Sequence, residues 1–388
     1  MLFVAALIVF VPPLAAQDAP AQAPAPAAAK PDDDLLHDAK DGAFDVSEFL
    51  DSRIGFFPVI MPITEPAVGF GAAGGLMFFN DRPRVVQTPD GPRIIPPIAT
   101  FVGGMATENG SWGSFAAHLH NWNDGRVRYL VAGGYASLNL DWFGQGNTSS
   151  SNSFPYNIEA GMLLQKLTFK LGDSDFFLGP TQRLLSTKTS FDDSSVVPPG
   201  IDADWLKSTV SGLGFTLGYD TRNSMFSPTR GTKTSLDFTQ NDEVIGSEFD
   251  YSRASLESCN YLPLGGPFTL GLRGDAQYAG DEAPYFDLPS IGLRGISAGR
   301  YVDNVAVTLE AELRWDTTAR WTLLGFGGVG WVADKVEEMD ESQGRGAGGV
   351  GVRYLIAKEY DLRVGIDVAA GPEDEAVYVT VGTGWLRD

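Results

Sequence analysis

Two stretches of this sequence alternate apolar and charged residues with period two, and this limits the possible folds more than any other feature. Phe268, Leu270 and Leu272 fall on one face, with Thr269, Gly271, Arg273 and Asp275 on the other. Further on, Val305, Val307, Leu309 and Leu313 oppose Thr308, Glu310, Glu312 and Arg314. Period two is the spacing of strands that separate two environments. A charged face opposite an apolar one suits a wet lumen inside a lipid-facing wall better than a dry core under bulk water. The expected fold class is all-β: a transmembrane antiparallel β-barrel of about 16 strands. The stretch between the two strands, Ile291–Tyr301 (IGLRGISAGRY), would be an extracellular loop folded inward.

Composition agrees with a single large barrel. The 388 residues carry a net charge of -21, 46 glycines and one cysteine. No internal disulfide is available to Cys259 alone. Strong acidity argues against nucleic acid as a partner, because a phosphate backbone needs a basic surface. Outside the N-terminus no apolar run is long enough for a spanning helix. A mean hydropathy of -0.06 fits strands of which only alternate residues meet lipid.

The chain divides into three parts. Residues 1–16 (MLFVAALIVFVPPLAA) read as a secretory signal peptide: an apolar run ending in small residues, without a positive n-region. Residues 17–54 read as an Ala/Pro-rich and then acidic periplasmic linker, with room for a short helix within Pro31–Asp51. Residues 55–388 form the outer-membrane barrel, making the protein integral to the outer membrane of a Gram-negative bacterium. Sixteen strand-like segments, from Pro58–Glu65 and Gly69–Phe79 to Ala376–Trp385, are mostly about ten residues long. That length lets a tilted strand cross a bilayer. From Trp122 onward short links such as Asp316–Arg320 alternate with long ones such as Ala279–Tyr301, as in a barrel with short periplasmic turns. Asn80–Pro97 breaks the alternation, unless a small hairpin forms around Pro89-Asp90-Gly91. All eight tryptophans fall at or just beyond strand ends, where interfacial girdles place them.

Three motifs carry a resemblance. Tyr219-Asp220-Thr221-Arg222-Asn223, followed by Phe226 and Pro228-Thr229-Arg230-Gly231, resembles the periplasmic turn of the BamA/TamA superfamily, the bacterial surface antigen barrels. Leu293-Arg294-Gly295-Ile296 resembles that family's Val/Ile-Arg-Gly-Phe/Tyr loop motif. The ending Val377–Trp385, with Tyr378, Gly382 and Trp385, resembles its last strand, which carries the barrel-assembly signal. The resemblance extends over roughly Gly55 to Trp385 and is strongest after Thr209. It implies that Arg294 reaches into the lumen and meets acidic residues, with Glu312 at the family's glutamate position. The family's second acid lies in Phe-x-Asp-x-Gly, and here Gly328 stands in place of the Asp. The latch is therefore expected to be weaker or to use another acid such as Glu310. The family's periplasmic POTRA domains have no counterpart in the sequence.

No catalytic residues, cofactor or metal are expected, and the protein is read as no enzyme. Gly69-x-Gly71-x-x-Gly74 matches a dinucleotide fingerprint but runs into strand-like sequence. His118 and His120 lack a third metal ligand and read as lumenal polar residues. A lipase would need a Ser–His pair oriented by a third group, which the sequence does not suggest. The implied function is to aid insertion or translocation of proteins or lipids. A solute pore and a structural surface antigen are the alternatives. The partners implied are outer-membrane lipid, the barrel-assembly machinery for its own insertion, and substrate polypeptides or lipids.

Overall fold

The computed structural model describes residues 36–38, 40–48, 56–79, 84–88, 91–95, 98–146, 153–191, 197–198, 201–224, 226–358, 360–373 and 375–385. The predicted signal peptide and the Ala/Pro-rich stretch lie outside them. Sixteen strands form one antiparallel sheet in chain order. They are β1 (Phe56–Ile63), β2 (Gly71–Phe79), β5 (Ala99–Thr107), β6 (Trp112–Trp122), β7 (Val127–Trp142) and β8 (Phe154–Lys170). Next come β9 (Phe176–Phe191), β10 (Lys207–Asp220), β11 (Gly231–Asn241), β12 (Tyr251–Gly265) and β13 (Phe268–Ala279). The last five are β14 (Val305–Asp316), β15 (Trp321–Ala333), β16 (Arg345–Ala357), β17 (Leu362–Ala370) and β18 (Glu375–Val381). Strands β3 (Arg84–Thr88) and β4 (Gly91–Ile95) pair only with each other, Thr88 opposite Gly91. This is the small hairpin that accounts for the long Asn80–Pro97 link. Among the described residues no helix is long and apolar enough to cross a membrane.

Side-chain alternation makes the barrel. On β13, Thr269, Arg273, Asp275 and Gln277 point inward and are buried, while Phe268, Leu272 and Tyr278 point outward and are exposed. On β14, Thr308, Glu310 and Glu312 point inward against outward Leu309, Leu313 and Trp315. Lys166 of β8 meets Asp237 of β11 at 2.8 Å, which also places both on the inner wall. Buried polar and exposed apolar residues thus exchange the positions they hold in a water-soluble sheet.

Two expectations are corrected. Trp112 and Trp122, exposed at the two ends of β6, set the parity of that strand, so His118 and His120 face outward and not into the lumen. His118 Nδ1 lies 2.9 Å from Thr100 Oγ1 and the His120 ring stacks on Trp122. Nor do all the tryptophans belong to a girdle. Trp112, Trp122, Trp315 and Trp321 are exposed on the outer wall. Trp142 and Trp385 are instead buried, the first against Tyr285 and the second beside Tyr261. Interior aromatic packing decides both cases. Gly71 and Gly74 of the fingerprint-like run lie within strand β2 and oppose Thr107 and Gly104 of β5.

The wall is uneven in height. Strands β7, β8 and β9 run for 16, 17 and 16 residues, whereas β1 has 8 and β18 has 7. These two short strands are the edges of the sheet. They come together, but no backbone register joins them among the described residues. The final segment was expected to be a strand as far as Trp385. Instead β18 stops at Val381, where Gly382 (φ +77°) turns the chain.

Candidate functional site

The loop between β13 and β14 enters the lumen as a narrow return. Ile291 N–H donates to the Tyr301 carbonyl at 3.1 Å, and Ser290 bridges Val302. Ile291, Leu293, Ile296 and Tyr301 are buried with Ala306 and Val332 in a small apolar cluster. Two glycines on the inner face of β15 make the space. A Cβ on Gly330 would lie 2.5 Å from Ile291 Cγ2, and one on Gly328 would lie 2.6 Å from Leu293 Cδ2. The position at which the family has an Asp is therefore filled by a loop leucine. Gly295 needs its left-handed backbone (φ +97°), and its N–H donates to the Tyr378 hydroxyl at 3.0 Å.

Beyond these contacts lies Arg294. Its guanidinium donates to Glu310 Oε1 (2.7 and 2.9 Å), Glu312 Oε2 (2.7 Å) and Asp367 Oδ2 (2.7 Å). One face of it stacks on Phe326, 3.5 Å from the ring centroid. The charges continue on both sides. Arg314 Nε bonds Glu312 at 2.6 Å, and Arg353 grips Asp367 with two nitrogens at 2.5 and 2.8 Å. Arg273 reaches Glu310 at 3.5 Å and Asp275 at 3.4 Å, and donates to the Gly292 carbonyl at 2.9 Å. Arg273, Arg294, Arg314 and Arg353 thus balance Asp275, Glu310, Glu312 and Asp367, with each acid at most 5% exposed. Buried charges persist only when paired and hydrogen-bonded in this way.

All three sequence motifs converge on this network. Arg314 Nη1 donates to the Pro228 carbonyl in the turn between β10 and β11, at 3.0 Å. That turn is built internally: Asp220 holds Arg222 at 3.0 Å, and Thr221 N–H donates to the Thr232 carbonyl. The Asn223 carboxamide oxygen accepts from the backbone N–H groups of Thr229 and Arg230. A Cβ on Gly231 would lie 2.3 Å from the Thr221 oxygen, so glycine is required there. Tyr219 points elsewhere and pairs with Phe176. The chain end joins from the other side. Trp385 Nε1 donates to Glu310 Oε2 at 2.9 Å, and its ring lies over Gly271, where a Cβ would come within 2.7 Å. Thr383 Oγ1 accepts from Arg314 Nη2 at 3.0 Å.

A second anchor was not foreseen from the sequence. Asp287, earlier in the same loop, is held by Arg183 of β9, by the Tyr251 hydroxyl of β12 (2.5 Å) and by Arg253 (3.6 Å). Tyr285 donates to Thr189 and meets Trp142 edge-on. Here the acid is on the loop and the bases are on the wall, the reverse of the Arg294 arrangement. The clue in the sequence is that Arg183 falls at a lumenal position of a strand that contains no acidic residue.

Also unforeseen is the role of the acidic segment before β1. Residues 36–38 and 40–48 lie against the end of the barrel that carries the short turns, with α-helical backbone among them at Ser47 and Glu48. Asp38, Asp41 and Asp45 all bond Arg320, in the turn between β14 and β15. Lys358, in the turn between β16 and β17, reaches Asp38 at 3.0 Å, and its N–H donates to Asp45 at 3.1 Å. Val46 N–H donates to the Ile356 carbonyl at 2.8 Å. The Val46 side chain packs against the cluster of Phe226, Ala357, Tyr360 and Leu362, against which Val381 also packs. Hydrogen bonds from Arg320 and from the Ala43 N–H hold the Asp41 carboxyl down at about 2.

Residues 183–288 match the Omp85 superfamily domain, a span that includes the turn motif and Asp287 and ends before Arg294. No curated protein matches the sequence. Among solved structures, BamA from Haemophilus ducreyi lacking POTRA domains 1-3 aligns with 85% of this chain and 69% of its own, at 13% identity and TM-score 0.55. CdiB from Escherichia coli aligns over 84% and 61%, at 14% identity and TM-score 0.56. CdiB from Acinetobacter baumannii aligns over 84% and 59%, at 13% and 0.54. This chain thus spans about three-fifths of each CdiB chain. Residues 183–288, which match the Omp85 superfamily domain, thus lie within a sixteen-stranded barrel whose fold is similar to those of the BamA and CdiB barrels.

Proposed function

We propose that this protein is an outer-membrane barrel of the insertase or translocator type, whose first and last strands form a seam at which a polypeptide or lipid substrate is handled. The observation that carries this reading is the pair of short edge strands, β1 and β18, which lie together without a shared hydrogen-bond register among the described residues. An unpaired strand edge presents backbone donors and acceptors that another strand can use. Orientation follows from the connections: the short turns, the start of β1 and the end of β18 face the periplasm, and the long loops face outward. Residues 1–16 act as a cleaved signal and residues 17–54 as a periplasmic lead-in. The barrel-assembly machinery inserts the chain, reading its last strand.

On this reading Arg294, Glu310, Glu312 and Asp367 latch the loop in place and so hold the lumen shut. The inserted loop, fixed at Asp287 and again at Arg294, favours a translocator over an open solute pore. Photo-crosslinkers placed from Val377 to Val381 in living cells should trap nascent outer-membrane polypeptides or lipid-linked species. A deletion strain with an unchanged outer-membrane protein and lipid profile would count against the proposal. Large, steady single-channel openings would favour the pore.

A further inference from the structure

We propose that the acidic segment Asp38–Val46 is a clasp that fastens the first edge of the sheet to the last, holding the seam closed from the short-turn end. The segment leads directly into β1, since only residues 49–55 separate Glu48 from Phe56. Fully extended, those seven residues reach about 25 Å. Its attachments, however, are on strands at the opposite end of the sheet order. Arg320 introduces β15, Ile356 belongs to β16, Lys358 precedes β17, and the apolar cluster that Val46 joins, with Leu362 of β17, also takes Val381 at the end of β18. The segment that precedes one edge strand is therefore tied by side chains and a backbone hydrogen bond to the strands that lead up to the other, beside the seam where the edge strands themselves share no register.

The chemistry suits a releasable tie. One guanidinium meets three carboxylates, Lys358 adds a second cation to two of them, and a single valine packs against an apolar cluster. Two of these acids, Asp38 and Asp41, lie where solvent and salt reach them, and Asp45 lies deeper. Ionic contacts of that kind weaken with ionic strength, unlike the enclosed Arg294 network. The clasp bears on the seam invoked in the proposed function, but it is tested by strand separation, which needs no cargo.

The test uses the full chain with Cys259→Ser, Ile60→Cys and Val379→Cys, spin-labelled on the outer faces of β1 and β18 and reconstituted in lipid vesicles. Pulsed electron spin resonance should give one short label–label distance in this parent. Adding Asp38→Asn, Asp41→Asn and Asp45→Asn should add a longer-distance population. A companion chain labelled only at Phe44→Cys should show that the segment has become mobile. Val46→Pro removes the donor to Ile356 without touching any barrel pair, and should have the same effect if the triple variant fails to fold. An unchanged distance distribution with a freed segment would overturn the proposal. So would a segment that stays immobile after its three carboxylates are gone.

Discussion

Trp385 donates its indole N–H to one oxygen of Glu310, while the other oxygen of that carboxylate accepts twice from Arg294. The end of the chain and the tip of the inserted loop therefore share a single acid on β14. Trp385→Phe keeps an aromatic ring in the site but removes the donor, together with the far edge of the indole that lies over Gly271. The loss of one hydrogen bond to a charged group should cost about 1.5–3 kcal/mol. It should appear as a lower urea midpoint for the heat-modifiable folded band on unboiled gels. An unaltered midpoint would mean that the chain end adds nothing to the latch.

Removing Arg294 should be more severe. Arg294→Ala leaves Glu310, Glu312 and Asp367 buried with only their wall arginines, and breaking such a network costs about 3–5 kcal/mol. Arg294→Lys keeps the charge but not the planar fork that serves three acids at once, and should fall between wild type and alanine. The same gel assay ranks the three proteins.

Asp287→Asn tests the other anchor. Arg183 and Arg253 would then face each other without a counter-charge. Hydrogen exchange should speed up around Tyr285–Leu288, while Ile291–Ile296, held separately, stays protected. Loss of protection across both segments would show that the two anchors act as one unit.

Gly328→Asp supplies the acid that the resemblance in sequence implies at this position, yet should destabilise this barrel. A Cβ there would lie 2.5 Å from the Leu309 carbonyl oxygen as well as 2.6 Å from Leu293. Overpacking of this kind costs about 1–3 kcal/mol. Leu293→Ala should relieve only the side-chain part of the clash, so the double variant should remain below wild type in the same urea titration.

The clasp should be sensitive to acid. In the undocked segment Asp41 titrates near 3.8, and docking lowers it to about 2, with Asp38 and Asp45 also lowered. A lowered carboxyl stabilises docking above its free value and loses that contribution as the pH falls through the docked value. A spin label at Phe44→Cys should stay immobile from neutral pH down to about 4 and become mobile between about 4 and 2. Mobility at neutral pH would contradict the assignment.

The barrel was legible in the sequence because alternation is local: β13 and β14 show their two faces within a dozen residues each. The loop motif was legible from its glycines and its arginine. Other features depend on residues far apart in the chain. Asp38 and Arg320 are 282 positions apart and show no periodicity that links them. Asp287 finds Arg183 only once β9 and the loop share a lumen. The inward turn of Trp385 was hidden because VYVTVGTGW reads as an unbroken strand, and only the left-handed Gly382 ends it. The outward direction of His118 and His120 could have been read from Trp112 and Trp122, which share their parity.

The unequal strand lengths have a consequence for the surrounding lipid. At a tilt near 40°, the 17 residues of β8 rise about 42 Å along the membrane normal, and the 7 of β18 about 18 Å. A hydrocarbon layer is about 30 Å thick, so one flank of the cylinder stands proud of it and the opposite flank falls short. Acyl chains beside the low flank must shorten or splay to meet it, and the bilayer dips there. The dip coincides with the two unpaired edges, so a molecule moving sideways between barrel and membrane at that point meets the thinnest hydrocarbon anywhere around the circumference.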